Sequence, residues 1–147
     1  MSFRLVDTGW NAVLTDAAQK DHSAVRLVCP FIKMVAVERL LAKGKPGLMQ
    51  VITRFDLNDF VQGVSDLAAL QRLLDAGATI RGIKNLHAKL YLFGDSRVVV
   101  TSANLTQAAL DRNHEFGFVA IDVGIVGRCR QYFDDLWAKA GANLTAA

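Results

Sequence analysis

Two β-favouring runs separated by three residues of turn chemistry constrain this chain more than any other feature. Leu86 to Phe93 is apolar at every other position, Gly94-Asp95-Ser96 follows, and Arg97 to Thr101 carries the branched core Val98-Val99-Val100. Such alternation predicts strands, and a connection this short joins them as an antiparallel hairpin. Side chains along a strand alternate between faces. His87, Lys89 and Tyr91 therefore share one face, and Leu86, Ala88, Leu90 and Leu92 share the other. With a loop from Gly94 to Arg97, Phe93 faces Val98, Lys89 faces Ser102 and His87 faces Asn104. A connection one residue shorter sends Ser102 and Asn104 to the wrong face. In the first register an imidazole, an ammonium, a hydroxyl and a carboxamide converge. Leu105 to Leu110 reads as a short helix whose N-terminus can turn backbone N–H groups toward them. Such a patch suits a phosphate.

Around the hairpin, strand and helix patterns alternate. Asp7 or Thr8 is placed to cap a helix with Trp10, Val13, Leu14, Ala17 and Ala18 on one face, fading at Lys20-Asp21-His22. Val25 to Phe31 is the mostly apolar run of a strand buried on both faces, and Pro30 marks its end. A helix follows from about Lys33 to Lys43, with Gly44 as its stop. Leu48 to Arg54 reads as a strand. Phe55 to Gly63 is a loop or short helical turn, with Asp56 and Asp59 spaced like a capping pair. Ser65 caps a helix that turns Leu67, Leu70, Leu73 and Leu74 inward and ends at Gly77. Ala78 to Ile83 is a short strand. Glu115 to Asp122 reads as an inner strand with Glu115, Gly117, Val119 and Ile121 on one face, and Gly124 to Ala140 is the last helix. Gly141 to Ala147 is a terminus or the start of a linker. This order predicts one α/β domain over residues 1–147, built on a mixed β-sheet flanked by helices on both faces.

Composition narrows the class. Of 147 residues, 52% are hydrophobic and 21% charged, which excludes a disordered chain. The net charge of +3 and a pI near 9.1 permit a polyanionic partner without requiring one. Cys29 and Cys129 sit in apolar patterns and read as buried thiols of a reducing compartment. The N-terminus has no signal-peptide pattern and no apolar run reaches membrane-span length, so a cytoplasmic protein without membrane attachment is expected.

His87-x-Lys89, then Ser102-Ala103-Asn104, then Asn113-x-Glu115-x-Gly117 resembles the phospholipase D superfamily and its HKD motif. The likeness runs from about Val25 to Trp137. One slot departs from the pattern: the aspartate five positions after the lysine is Gly94 here, and Asp95 comes one residue later. Thr101 also stands where the family often has glycine. The resemblance implies a phospholipase D-like α/β sandwich and a site in which two HxK motifs meet. With one HxK in the chain, it implies a homodimer whose two His87 residues act as nucleophile and acid. Lys89 and Asn104 would hold phosphoryl oxygens, and Glu115 would fix a histidine tautomer. The resemblance implies no metal and no cofactor.

Ser102 is a further candidate substrate contact. So is Arg54, which lies at the end of a strand, where ligand sites of α/β sheets gather. Blander readings stand beside these: Asn104 as a helix cap, Glu115 as a surface ion-pair partner, Tyr91 as core, and His22 and His114 as loop and surface. The expected function is metal-independent hydrolysis of nucleic-acid phosphodiesters, DNA first. The alternatives are a phospholipid or small-molecule phosphodiesterase, and a non-catalytic nucleic-acid-binding module of a larger DNA-processing protein.

Overall fold

The computed structural model describes residues 3–42 and 44–146. In chain order the elements are β1 (Phe3–Val6), α1 (Trp10–Lys20), β2 (Ala24–Val28), α2 (Met34–Leu41), β3 (Leu48–Thr53), α3 (Leu57–Val61), α4 (Leu67–Asp75), β4 (Thr79–Gly82), β5 (Leu90–Phe93), β6 (Arg97–Thr101), α5 (Gln107–Asp111), β7 (Gly117–Ala120) and α6 (Val123–Lys139). The strands form one sheet in the order β1-β7-β6-β5-β2-β3-β4. β2, β3 and β4 run parallel, and β5, β6, β7 and β1 pair antiparallel. The sheet is mixed, as the element order predicts.

Alternation along the central strands divides the apolar residues between two cores. Val25, Leu27, Val51, Ile80, Tyr91, Phe93 and Val99 face α1, α2, α4 and α5. Val28, Ile52, Leu90, Leu92, Val98 and Ala120 face α6 through Val126 and Phe133. β2 and β5 are buried on both faces, which is why they read as continuous apolar runs.

Several local expectations change. β1 is an edge strand that the sequence did not signal. Gly9, in the left-handed region at φ 73, precedes α1 in place of Asp7 or Thr8. The cap of α4 is Asp66, because Ser65 turns inward and its buried hydroxyl bridges the Ile32 N–H at 3.1 Å and the Ile32 carbonyl at 3.2 Å. Leu67 is exposed. Asp56 does cap α3, accepting from the Asn58 N–H, whereas Asp59 is buried beside Arg54. Lys43 and Ala147, placed by sequence in a helix end and a tail, lie outside the described residues. Residues 141–144 fold back along β4, with Gly141 N–H donating to Gly82 and Leu144 N–H to Ile80. No helix among the described residues is long and apolar enough to cross a membrane.

Candidate active site

The pairing of the strands brings the ends of β2, β3, β4 and β6 to the same sheet edge as the starts of β5 and β7. The candidate residues collect at that edge. β5 begins at Leu90 and not at Leu86, because both neighbours leave the ladder: β2 stops before Cys29-Pro30 and β6 bends away at Ser102. The last rung is the Thr101 N–H to the Lys89 carbonyl at 3.4 Å. His87 is exposed and Lys89 half-buried, with Lys89 Nζ 3.5 Å from His87 Nδ1.

The hairpin takes the shorter connection. Phe93 pairs with Arg97 and Tyr91 with Val99, so the loop is Gly94-Asp95-Ser96. The expected pairings of Lys89 with Ser102 and of His87 with Asn104 are therefore off by one residue. Ser102 and Asn104 follow the end of β6 at the same end of the sheet, where the chain has left strand geometry and strict alternation no longer applies.

Ser102 Oγ donates to Glu115 Oε1 at 2.6 Å and accepts the Phe116 N–H at 3.0 Å. Asn113 Nδ2 donates to Glu115 Oε2 at 3.3 Å, and Trp10 Nε1 holds the Glu115 carbonyl at 3.2 Å. Two neutral donors thus fix a half-buried carboxylate. Asn104 does not cap α5; Thr106 does, through the Ala109 N–H. Asn104 Oδ1 instead accepts the Phe31 N–H at 3.2 Å.

Beneath Asn104 lies a polar floor. The buried Tyr91 hydroxyl donates to the Ala103 carbonyl at 2.8 Å and lies 3.7 Å from Cys29 Sγ. Burial pushes the Tyr91 hydroxyl well above its ordinary range and raises the Cys29 thiol to about 11, against smaller downward pulls that include the Lys89 ammonium. Both groups are neutral near pH 7. Tyr91 is core, as the sequence reading has it.

Arg54 forms the side wall. Its Nε and Nη2 each donate to an Asp59 carboxylate oxygen at 2.7 Å, and its guanidinium lies 4.8 Å over the Phe31 ring. Two donors are committed to Asp59, and Nη1 makes no hydrogen bond among the described residues. His22 and His114 are exposed. Among the described residues no three His, Cys, Asp or Glu side chains are grouped to hold a metal ion. Sequence reasoning read Cys29 only as a buried thiol and gave Phe31 no role at the site; the signal for both was a strand ending at Pro30 on the edge where the motif residues begin.

Asp95 stands apart, at the far end of β5, where it pairs with Arg130 at 2.9 Å on the surface. Gly94 occupies the slot where the motif has aspartate, with φ 59. A Cβ there would lie 2.0 Å from Asp21 Oδ2, so an aspartate from α1's end fills the space beside the turn and accepts from Ser96 Oγ at 3.0 Å.

A family profile described as the cardiolipin synthase, phospholipase D-like domain matches residues 7–137. The chain belongs to the phospholipase D superfamily. This phospholipase D-like domain, of a phosphodiesterase family, shares its fold with solved structures. Nuc from Salmonella typhimurium, described as a phospholipase D family member, superposes with a TM-score of 0.80 at 17% identity, over 99% of this chain and 99% of that one. NucT from Helicobacter pylori gives 0.74 at 14% identity, over 94% and 96%. TrmBL2, an archaeal chromatin protein whose structure is described as showing a novel mode of DNA binding, gives 0.63 at 13% identity, over 95% of this chain and 54% of that one. At these identities the likeness is one of fold. No sequence among curated proteins matches the phospholipase D-like chain.

Proposed function

We propose that the protein is a metal-independent endonuclease that hydrolyses nucleic-acid phosphodiester bonds in a site shared by two copies of the chain. One observation carries this reading. His87, exposed, stands beside Lys89, with an amide donor and a fixed carboxylate at the same sheet edge, and the chain has no second HxK to complete the pair.

His87 of one copy attacks phosphorus, and a P–N bond forms as the bond to the leaving oxygen breaks. His87 of the second copy protonates that oxygen, then takes a proton from water, which attacks phosphorus and breaks the P–N bond. Lys89 ammonium groups and Asn104 Nδ2 donors hold the non-bridging oxygens as charge grows on them. Within one chain Glu115 bonds to Ser102 and Asn113 and not to His87, so its free lone pairs serve the ring N–H of the second copy's His87 and set its tautomer. Arg54, its charge paired with Asp59, adds its Nη1 donors at the rim.

Nucleic acid is favoured by the basic balance, by full-length likeness to Nuc and NucT, and by the DNA binding described for TrmBL2. A cytoplasmic location goes with two free thiols. A phospholipid substrate is the second reading, favoured by the family description that names cardiolipin synthase.

The test is cleavage of labelled single- and double-stranded DNA in excess EDTA by the unmodified protein and by His87→Ala. Cutting that persists in EDTA and is lost in the variant is expected. Cutting by both proteins would place the activity elsewhere. Cutting by neither would end the nuclease reading; vesicle hydrolysis would then support the lipid substrate, and salt-dependent DNA binding without turnover a binding module.

A further inference from the structure

Asn104 has a carboxamide with two chemically different ends, and the structure commits one of them. The Phe31 N–H is a donor, so the atom it meets at 3.2 Å must be Oδ1. Cys29 Sγ lies 3.6 Å from the same oxygen and 3.2 Å from the Phe31 carbonyl, and it accepts the Leu105 N–H at 3.1 Å. One sulfur therefore ties the segment after β2 to Asn104 and to the residue that follows it. Lys33 N–H to the Leu105 carbonyl at 3.0 Å and the Ile32–Leu105 bridge continue the same seam. With Oδ1 occupied, Nδ2 makes no hydrogen bond among the described residues and turns its two donors outward.

Resting on the phosphodiesterase reading above, we propose that Cys29 is a positioning residue that locks Asn104 as a donor toward the phosphoryl group. The thiol suits this task because it both donates and accepts weakly and packs like an apolar side chain. It touches no substrate. Full burial keeps it protonated, so the S–H proton that faces Oδ1 and the Phe31 carbonyl is retained at neutral pH. Without it, the buried Leu105 N–H loses its acceptor, Oδ1 keeps the Phe31 N–H alone, and the peptide that carries Asn104 is held less tightly.

A double-mutant cycle tests this, with kcat and KM measured on bis(4-nitrophenyl) phosphate. Cys29→Ala is expected to lower kcat about tenfold, part of the about 10²–10³-fold lost when one donor to a developing oxyanion is removed. KM should change less than about twofold, since the bond is stronger in the transition state. Cys29→Ser should recover most of kcat. In an Asn104→Ala background, Cys29→Ala should have almost no further effect. Multiplying losses, a change confined to KM, or unchanged kcat in Cys29→Ala would overturn the proposal. If Cys29→Ala does not fold, Cys29→Val runs the same cycle. If the unmodified protein turns over no diester, the phosphodiesterase reading fails, and the cycle is read from calorimetric affinity for inorganic phosphate. Coupled losses there uphold the positioning role; independent losses, or no phosphate binding, overturn it.

Discussion

Arg54 stands at the rim with its charge already answered. Asp59 is buried and grips the guanidinium through two 2.7 Å bonds, while the Phe31 ring lies beneath it. That grip holds the Asp59 carboxyl below the usual value of 3.8, chiefly through its hydrogen bonds with Arg54 and against the opposing effect of burial. A depressed native pKa contributes stability above the unfolded value and loses it as pH falls through the native one. Asp59→Asn should therefore be less stable near pH 7, by about 1–2 kcal/mol for a tie of this kind. The gap should close as pH drops below about 4. Thermal unfolding of both proteins across pH 2–7 checks this, and a constant gap would mean the carboxylate's charge is not what matters. The same region marks where sequence stops informing. His87, Lys89, Asn104 and Glu115 stand out in the sequence as candidates because their types and spacing carry chemistry. Cys29 and Phe31 do not, because their roles exist only through contacts with a segment more than 70 residues away.

At the scale of elements, the close approach of β6 and β7 builds the Glu115 side of the site. Gly117 pairs with Thr101, and a Cβ on it would lie 2.1 Å from the Val100 carbonyl and 2.6 Å from the Thr101 Cα. Those are backbone atoms, which have no rotamer to escape into. Gly117→Ala should push β7 away, loosen the Ser102–Glu115 bond, and cost about 2–4 kcal/mol, as overpacking against a rigid neighbour does. A fall in unfolding midpoint with loss of turnover is the expected pair of readings; wild-type stability would show that the two strands are free to separate. The existence of six of the seven strands was legible from apolar runs and turn residues. The first residue of β5 was not, since a strand pattern from Leu86 needs neighbours to pair with, and Pro30 and the bend at Ser102 remove them. β1 escaped because a four-residue edge strand with Arg4 and Leu5 exposed carries no alternation to read.

For the whole molecule, the decisive quantity is how many histidines one catalytic centre needs. Each chain of 16.0 kDa carries one HxK, and its Glu115 has its intrachain bonds to other residues. If two His87 side chains divide the work, only a pair of intact chains can turn over. A closed two-fold assembly then gives one composite centre per dimer. Co-expressing wild type with His87→Ala at equal levels leaves about a quarter of randomly formed dimers with both histidines. Activity per chain should fall to that fraction, whereas independent centres would retain about half. The two outcomes separate cleanly because the variant alone fixes the zero and wild type alone the maximum. Dilution supplies an orthogonal reading. Below the dimer dissociation constant, specific activity of a shared centre falls with concentration, while a self-sufficient chain keeps it constant. A chain that sediments as a monomer at micromolar concentration and still hydrolyses its substrate would make His87 both nucleophile and acid in turn, and would remove the need for a second copy.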